Sequence, residues 1–405
     1  MAMRMVVNAA STKMGGAVSY ITELLRHFAT EARDVEFLVF LPPETAAKLD
    51  GLAGNIRVLP VAIGHAGLMR RLWWEQVTLR RFLKKQKADA LFSTANFAMF
   101  SCPVRQLLLI TNPLYSSNIY REKFLPRHSL RFQLAFALRR WLAAQGARAA
   151  DVVMTPTQAT LDDLRGLVRV KAAVVNPFGV AVQPLRERDS MAGLPGGAGN
   201  RVVRLVYVSL YSEHKNLTTL LKAMEMLNAG GGAKFKLTTT VDPAWPGAAW
   251  TVTHKEDIRL ARLPGVAEWV EFVGPLSTEK VADLYAAADI FVFPSLAETF
   301  GFPMAEAMSH GLPIVAADTP VNREVCGQAA IFFSPLCPEE LAHQLCSLAA
   351  DNALRSRLGE KGRQAPASRF SWITHAQRVA RIMGGSGEHI RKEGTHGQQR
   401  LLDAS

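Results

Sequence analysis

Residues Asp289–Asp318 read DIFVFPSLAETFGFPMAEAMSHGLPIVAAD, and the punctuation of this stretch decides the fold. The apolar run Ile290–Phe293 is a strand ended by Pro294. Glu298 then sits in a loop that Gly301 keeps free of a Cβ near whatever binds there. Pro303 suits the first position of a helix, where its missing N–H costs nothing, and Gly311 followed by Pro313 suits a helix stop, so a short helix is predicted over Pro303–His310. A second apolar run, Pro313–Ala317, follows at once. Strand, short helix and strand make the repeating unit of a parallel sheet covered by helices on both faces.

The same alternation extends in both directions. In the first half it predicts strands at Met3–Ala9, Val35–Leu41, Ala90–Ser93, Gln106–Ile110, Val152–Thr155 and Ala173–Asn176. In the second half it predicts them at Val203–Ser209, Lys234–Val241, Val270–Val273, Ile290–Phe293, Pro313–Ala317 and Ala330–Phe333. A chain of 405 residues with 49% hydrophobic content exceeds what one core usually organises, so two α/β domains are expected. The aperiodic, Gly-rich stretch Arg186–Asn200 is the natural linker between a domain over 1–185 and one over 201–370. A last helix over 371–383 is expected to cross back to the first domain, and Gly384–Ser405 reads as a disordered tail.

No run of about 18 or more apolar residues appears, and the opening MAMRMVVNAAS passes straight into a strand-like segment without a signal peptide's plan. A cytoplasmic protein is expected. Cys102, Cys326, Cys337 and Cys346 lie singly, without CxxC pairs or matching His spacing, and read as reduced core thiols; no metal site is expected.

The net charge of +12 calls for a partner or a reason. Arg70, Arg71, Arg80, Arg81, Lys84, Lys85 and Lys87 form one basic stretch, and Arg121, Lys123, Arg127, Arg131, Arg139 and Arg140 another. The first also carries Leu68, Met69, Leu72, Trp73 and Trp74, the second Phe124, Phe132, Phe136 and Trp141, so both read as helices with a basic and an apolar side. Two readings stand open: the helices rest on an anionic membrane, peripheral on its inner face, or the apolar side packs on the domain and the basic side is solvated. No nucleic-acid motif accompanies the charge.

Around Asp289–Asp318 the chemistry lies in two carboxylates. Glu298 belongs to the loop, while Glu306 lies in or just past the first helical turn, toward the strands' carboxyl ends, where open α/β sheets bind ligands. Backbone N–H groups from Thr299 to Met304 are expected to face the same place, and with the helix dipole they form an anion site. A carboxylate accepting hydrogen bonds from sugar hydroxyls contributes roughly 1.5–3 kcal/mol per bond. Either residue taken alone also fits a solvated or dipole-favoured surface glutamate. After the strand at Val203–Ser209, LYSEHKN leads into a helix, and Lys215 at its entrance can neutralise a diphosphate.

Glu298, Phe300, Gly301, Pro303, Glu306, Ala307, Met308 and Gly311 together resemble the signature of the retaining GT-B enzymes of glycosyltransferase family 4, two glutamates separated by seven residues around E-x-F-G-x-P. The resemblance runs to about Met383, weak in the first half and strong from Val203 to Phe333. It implies two Rossmann-like domains facing each other across a cleft, with the first glutamate holding the transferred sugar and the second the ribose hydroxyls. It further implies a phosphate lysine at Lys215, a glycine-rich loop at Gly15 and Gly16 closing over the donor, and Val273 and Leu276 beside the base. Thr299, Phe300, Gly301 and Phe302 fall in the same donor loop.

Two positions depart from the family pattern. Leu210 stands where an arginine often joins the lysine, leaving His214 as a substitute on the diphosphate. Thr111 and Asn112 follow the fourth first-half strand where many members carry His-Asp; Asn112 can position an acceptor hydroxyl but cannot act as a base. The implied activity is metal-independent, retaining transfer of a hexose-type sugar from a nucleoside-diphosphate sugar to a glycan or lipid-linked acceptor, with no cofactor. A nucleotide-sugar epimerase of the same fold and a non-catalytic nucleotide-binding protein at the membrane surface are the rival readings.

Overall fold

The predicted alternation takes shape as two parallel sheets in a computed structural model that describes residues 3–13, 15–49, 51–181, 202–229, 233–245 and 248–385. The first contains β1 (Met3–Asn8), β2 (Val35–Leu41), β3 (Ile56–Pro60), β4 (Ala90–Ser93), β5 (Arg105–Leu109), β6 (Val152–Thr155) and β7 (Ala173–Val175), in the order β3-β2-β1-β4-β5-β6-β7. The second contains β8 (Val202–Tyr207), β9 (Lys234–Thr239), β10 (Val270–Phe272), β11 (Ile290–Phe293), β12 (Ile314–Ala317) and β13 (Ala330–Phe333), in the order β10-β9-β8-β11-β12-β13. Both are doubly wound, and each reverses its winding once, between β1 and β4 and between β8 and β11.

β3 was not expected from the sequence. It is an edge strand, partly exposed and ended by Pro60, so it lacks the continuous apolar run that marks a strand buried on both faces. The central strands β1, β4, β6, β11 and β12 bury their side chains on both faces and carry that run.

The chain divides into two compact units. The first comprises Met1–Ser116, Leu130–Gly179 and Phe370–Ser405, the second Ser117–Ser129 and Val180–Arg369. Within the first, the helix Trp372–Gly384 packs on the helix Gly16–Glu31. Tyr20 Oη meets His375 Nε2 at 3.1 Å, and His375 Nδ1 meets the Pro177 carbonyl at 2.9 Å. Burial pushes the His375 imidazole down to about 3, so it stays neutral. Gly179 is required there, since a Cβ would stand 2.2 Å from Trp372 Cγ. The linker expected at Arg186–Asn200 lies outside the described residues, as does the tail from residue 386; Gly384 itself ends the last helix.

Two expectations need correction. Residues 120–141 do not form one helix: Tyr120–Phe124 and Leu125–Arg127 are separate short turns around Pro126, and the long helix is Leu130–Ala149. Of the four cysteines, all free, only Cys326 is buried in a core, where burial pushes its thiol up to about 12. No described helix is long and apolar enough to cross a membrane.

Candidate active site

In the second unit the winding reversal lies between β8 and β11, and the loops after those two strands meet. Leu296 N donates to the His214 carbonyl at 2.9 Å, and Asn216 Nδ2 donates to the Pro294 carbonyl at 3.1 Å. Asn216 takes a left-handed conformation at φ 58°, which turns the chain into the helix Leu217–Ala229. From below, the buried Tyr207 hydroxyl donates to the Lys215 carbonyl at 2.8 Å. Asn322 Nδ2 ties the β11 loop down through the carbonyls of Ser295, at 3.2 Å, and Ala317, at 2.9 Å.

This frame brings Lys215 Nζ to 2.5 Å from Glu298 Oε1, with both side chains mostly withdrawn from solvent. The pair is charge-assisted and held from both loops at once. Lys215 has two further N–H donors and Glu298 further lone pairs, so the pair retains capacity for a polar ligand.

After Glu298 the chain passes through Gly301, at φ 80°, into the helix Phe302–Ser309, one residue earlier than predicted. A Cβ at Gly301 would lie 2.5 Å from Met304 Cε, the movable end of a flexible side chain, so it is the backbone angle that demands glycine. Met304 N–H is not available to a ligand as expected, because it bonds the Gly301 carbonyl at 3.0 Å. The N–H groups at the Lys215 turn are likewise spent, Lys215 N on Ser212 O at 2.9 Å and Asn216 N on Glu213 O at 3.1 Å.

Glu306 lies just past the first turn of that helix and is half-buried. It accepts a 3.0 Å hydrogen bond from Tyr285 Oη on the helix Thr278–Ala287. Burial raises the Glu306 carboxyl above the ordinary glutamate range, and the Tyr285 bond opposes that rise. Burial, with Glu306 beside it, keeps Tyr285 a donor far above neutral pH.

His214 is part of the same turn, with Nδ1 2.8 Å from Ser212 Oγ. Burial first and the Lys215 charge second push its imidazole well below the usual value, so it brings a dipole and not a second cation. Thr299 and Phe300 are buried, and the Phe300 ring packs edge-on to Phe302 with centroids 5.4 Å apart, which makes the Phe300 side chain core. Val273 and the half-buried Leu276 lie just beyond β10, with Val273 N bonded to Thr239 O at 2.9 Å. Parallel strands put β8, β9, β10 and β11 carboxyl ends on one edge, so Lys215, Glu298 and Val273 share it.

In the first unit Gly15 has φ 62° and ψ −152°, which only glycine adopts readily, and it caps the helix that Gly16 begins. Asn112 Oδ1 accepts from Leu114 N at 3.0 Å and so caps a short turn. Its backbone N–H is held by Asn96 Oδ1 at 2.8 Å.

Sequence reasoning missed Glu213. It is buried, and its carboxylate accepts from Tyr120 Oη at 2.8 Å and from Val252 N at 2.9 Å, and meets His128 Nε2 at 2.7 Å. Those contacts hold Ser117–Ser129 in the second unit, two residues from Lys215. Tyr285, Tyr207 and Asn322 were missed as well; each looks like an ordinary amphipathic or core residue in its own segment.

The family described as Glycosyltransferase Family 4 is matched over residues 14–183, and that described as Glycosyl transferases group 1 over residues 202–351. Together these matches cover most of the chain. The chain belongs to the group 1, family 4 glycosyltransferases. Relatives of this family include the O-antigen chain mannosyltransferase B of Escherichia coli, 28% identical over 169 residues, covering 41% of this chain and 42% of that protein. The MMP alpha-(1->4)-mannosyltransferase of Mycolicibacterium hassiacum is 28% identical over 255 residues, covering 60% and 58%. The chain thus spans about half the length of the curated relatives it matches. Among solved structures, sucrose-phosphate synthase from Thermosynechococcus elongatus superposes with a TM-score of 0.72 at 17% identity over 100% of both chains. WaaG, a glycosyltransferase of lipopolysaccharide biosynthesis, gives 0.70 at 16% identity over 94% of this chain and 100% of its own. The fold of this family 4 chain is therefore GT-B.

Proposed function

We propose that this family 4 protein is a retaining glycosyltransferase that moves a hexose-type sugar from a nucleoside-diphosphate sugar to a hydroxyl of a glycan or lipid-linked acceptor. The observation that carries the reading is the Lys215–Glu298 pair, held at 2.5 Å by the loops after β8 and β11. Breaking the anomeric bond puts positive charge on the sugar and extra negative charge on the departing diphosphate. Lys215 offers its two remaining N–H donors to that diphosphate, while Glu298 orients it and accepts from a sugar hydroxyl. Glu306, aimed by Tyr285, accepts from the ribose hydroxyls. A charge already fixed where negative charge develops needs no reorganisation during reaction, which is where such sites gain most of their rate.

In this reading the leaving group is neutralised by Lys215 and peptide dipoles without a divalent ion. The acceptor oxygen bonds to the anomeric carbon on the face from which the diphosphate departs, which retains configuration, and the leaving phosphate takes the acceptor's proton, so no base is required at Asn112. The Anabaena HepE protein, of the same fold with a TM-score of 0.69 at 18% identity, was solved with UDP and glucose, which favours a nucleotide-sugar donor here. In this reading the protein works in the cytoplasm, in polysaccharide assembly.

The test is release of nucleoside diphosphate from a panel of UDP-, GDP-, ADP- and dTDP-sugars with and without glycan or lipid-linked acceptors. Acceptor-dependent release that survives EDTA and disappears in Glu298→Gln is expected. Release or epimerisation without any acceptor points to the epimerase, and binding without turnover to the non-catalytic reading. Loss of activity on chelation removes the metal-independent step.

A further inference from the structure

The helix Leu130–Ala149 has two apolar sides. Phe136, Leu142, Ala143 and Ala147 face inward and are buried. Leu130, Leu134, Leu138 and Trp141 follow one another along the opposite side, 71%, 63%, 46% and 57% exposed. Spacings of four, four and three residues align them on one stripe. A soluble surface rarely presents four large apolar side chains in a row unless something covers them.

A second exposed pair lies nearby. Met69 and Trp73, one turn apart on the helix beginning at Leu68, are 72% and 60% exposed. The two helices are linked indirectly, through side chains packed between them. The Arg71 guanidinium lies 5.3 Å over Phe97, Phe97 is 6.3 Å from Tyr115, and Tyr115 is 5.7 Å from Phe136.

The charges around the apolar residues identify the partner. The long helix contains no acidic residue, and its exposed charges are Arg131, Arg139 and Arg148. On the segment from Leu68 to Lys85 the one acidic residue, Glu75, is buried against Arg71 at 3.0 Å, while Arg70, Arg81, Lys84 and Lys85 are exposed. Exposed apolar stripes on helices whose own exposed charges are all cations complement an anionic bilayer surface, where leucine and tryptophan enter the headgroup boundary and arginine meets phosphate. A second copy of this chain would bring the same cations against each other, and aliphatic leucines offer nucleic-acid bases no stacking platform.

We infer that the face bearing Leu130, Leu134, Leu138 and Trp141, extended by Met69 and Trp73, docks on the surface of an anionic lipid bilayer without spanning it. Docking of this kind holds the enzyme where a lipid-linked acceptor resides, but it does not depend on the transferase reading.

Flotation of the full chain with vesicles tests it directly, in phosphatidylcholine alone and in phosphatidylcholine with phosphatidylglycerol. Binding to the anionic vesicles that weakens as salt is raised is expected, and Leu134→Glu with Leu138→Glu should lower the partition coefficient about tenfold or more. Quenching of tryptophan fluorescence by brominated lipid chains, reduced in Trp141→Phe and reduced further when Trp73→Phe is added, reports insertion in variants that barely alter the surface. Equal binding by wild type and the Leu134→Glu, Leu138→Glu protein, or no binding to anionic vesicles, overturns the inference. So does a dimer in solution that the same two substitutions dissociate. The assay contains neither donor nor acceptor, so its failure leaves the transferase reading standing.

Discussion

Lys215 and Glu298, 83 residues apart in the chain, form a 2.5 Å ion pair across the point where the second sheet reverses its winding. Two loops that leave neighbouring strands, already joined by Leu296 N to the His214 carbonyl and by Asn216 Nδ2 to the Pro294 carbonyl, thereby share a charged contact that still has capacity for a ligand.

Removing the cation separates binding from chemistry. Lys215→Ala is expected to lower kcat by about 10²–10³-fold, the usual effect of deleting one preorganised donor to a developing negative charge. Steady-state release of nucleoside diphosphate measures it, and an unchanged kcat would take Lys215 out of the proposed mechanism.

Glu306 links function to pH. Its folded carboxyl is raised above the unfolded value by burial, so ionising it costs the fold stability once pH rises past the unfolded value. Stability attributable to this residue is therefore greatest in acid and declines toward neutrality. Glu306→Gln should raise Tm at neutral pH, with the gain shrinking as pH falls into the ordinary glutamate range, while weakening donor binding about 10- to 100-fold. Thermal melts across pH and a donor titration check both halves; a lower Tm at neutral pH contradicts the burial argument.

Tyr285→Phe removes the hydrogen bond that opposes this rise. The acid limb of the kcat/KM profile should move to higher pH with little change on the alkaline side. An unmoved profile means that Glu306 does not govern the acid limb.

Gly301→Ala places a Cβ at φ 80° and 2.5 Å from Met304 Cε. The backbone alone costs about 1–2 kcal/mol, so a lower Tm and weaker donor binding are expected together. Wild-type behaviour in both would show that the loop repacks freely.

Glu213 satisfies Tyr120, His128 and the Val252 N–H with one buried carboxylate. Glu213→Ala leaves those groups without their acceptor and should destabilise the protein by about 3 kcal/mol, against about 1 kcal/mol for Tyr120→Phe. Limited proteolysis of Ser117–Ser129 gives a second readout, since cleavage there should accelerate in Glu213→Ala.

Much of this architecture is legible because its signals are local. A buried parallel strand needs a continuous apolar run, and β11 and β12 carry one; a short helix between them needs Gly301, Pro303 and Gly311 at its ends. β3 escaped because an edge strand is half exposed and lacks that run. The outward stripe on Leu130–Ala149 escaped for a related reason: a helix apolar on two sides looks the same in sequence whichever side is buried.

By itself, then, the order of residues determined a doubly wound α/β chain and singled out Glu298, Glu306 and Lys215 as its polar candidates, because run lengths, turn residues and motif spacing are relations between near neighbours. Tertiary structure alone decided that Lys215 and Glu298 touch, that Tyr285 aims Glu306, that Asn112 Oδ1 caps a turn, that Met304 N–H is already bonded, and that Glu213 is buried. Each of those facts depends on which segments the sheet order brings together and which hydrogen-bond donors find a partner first, and no local pattern encodes either.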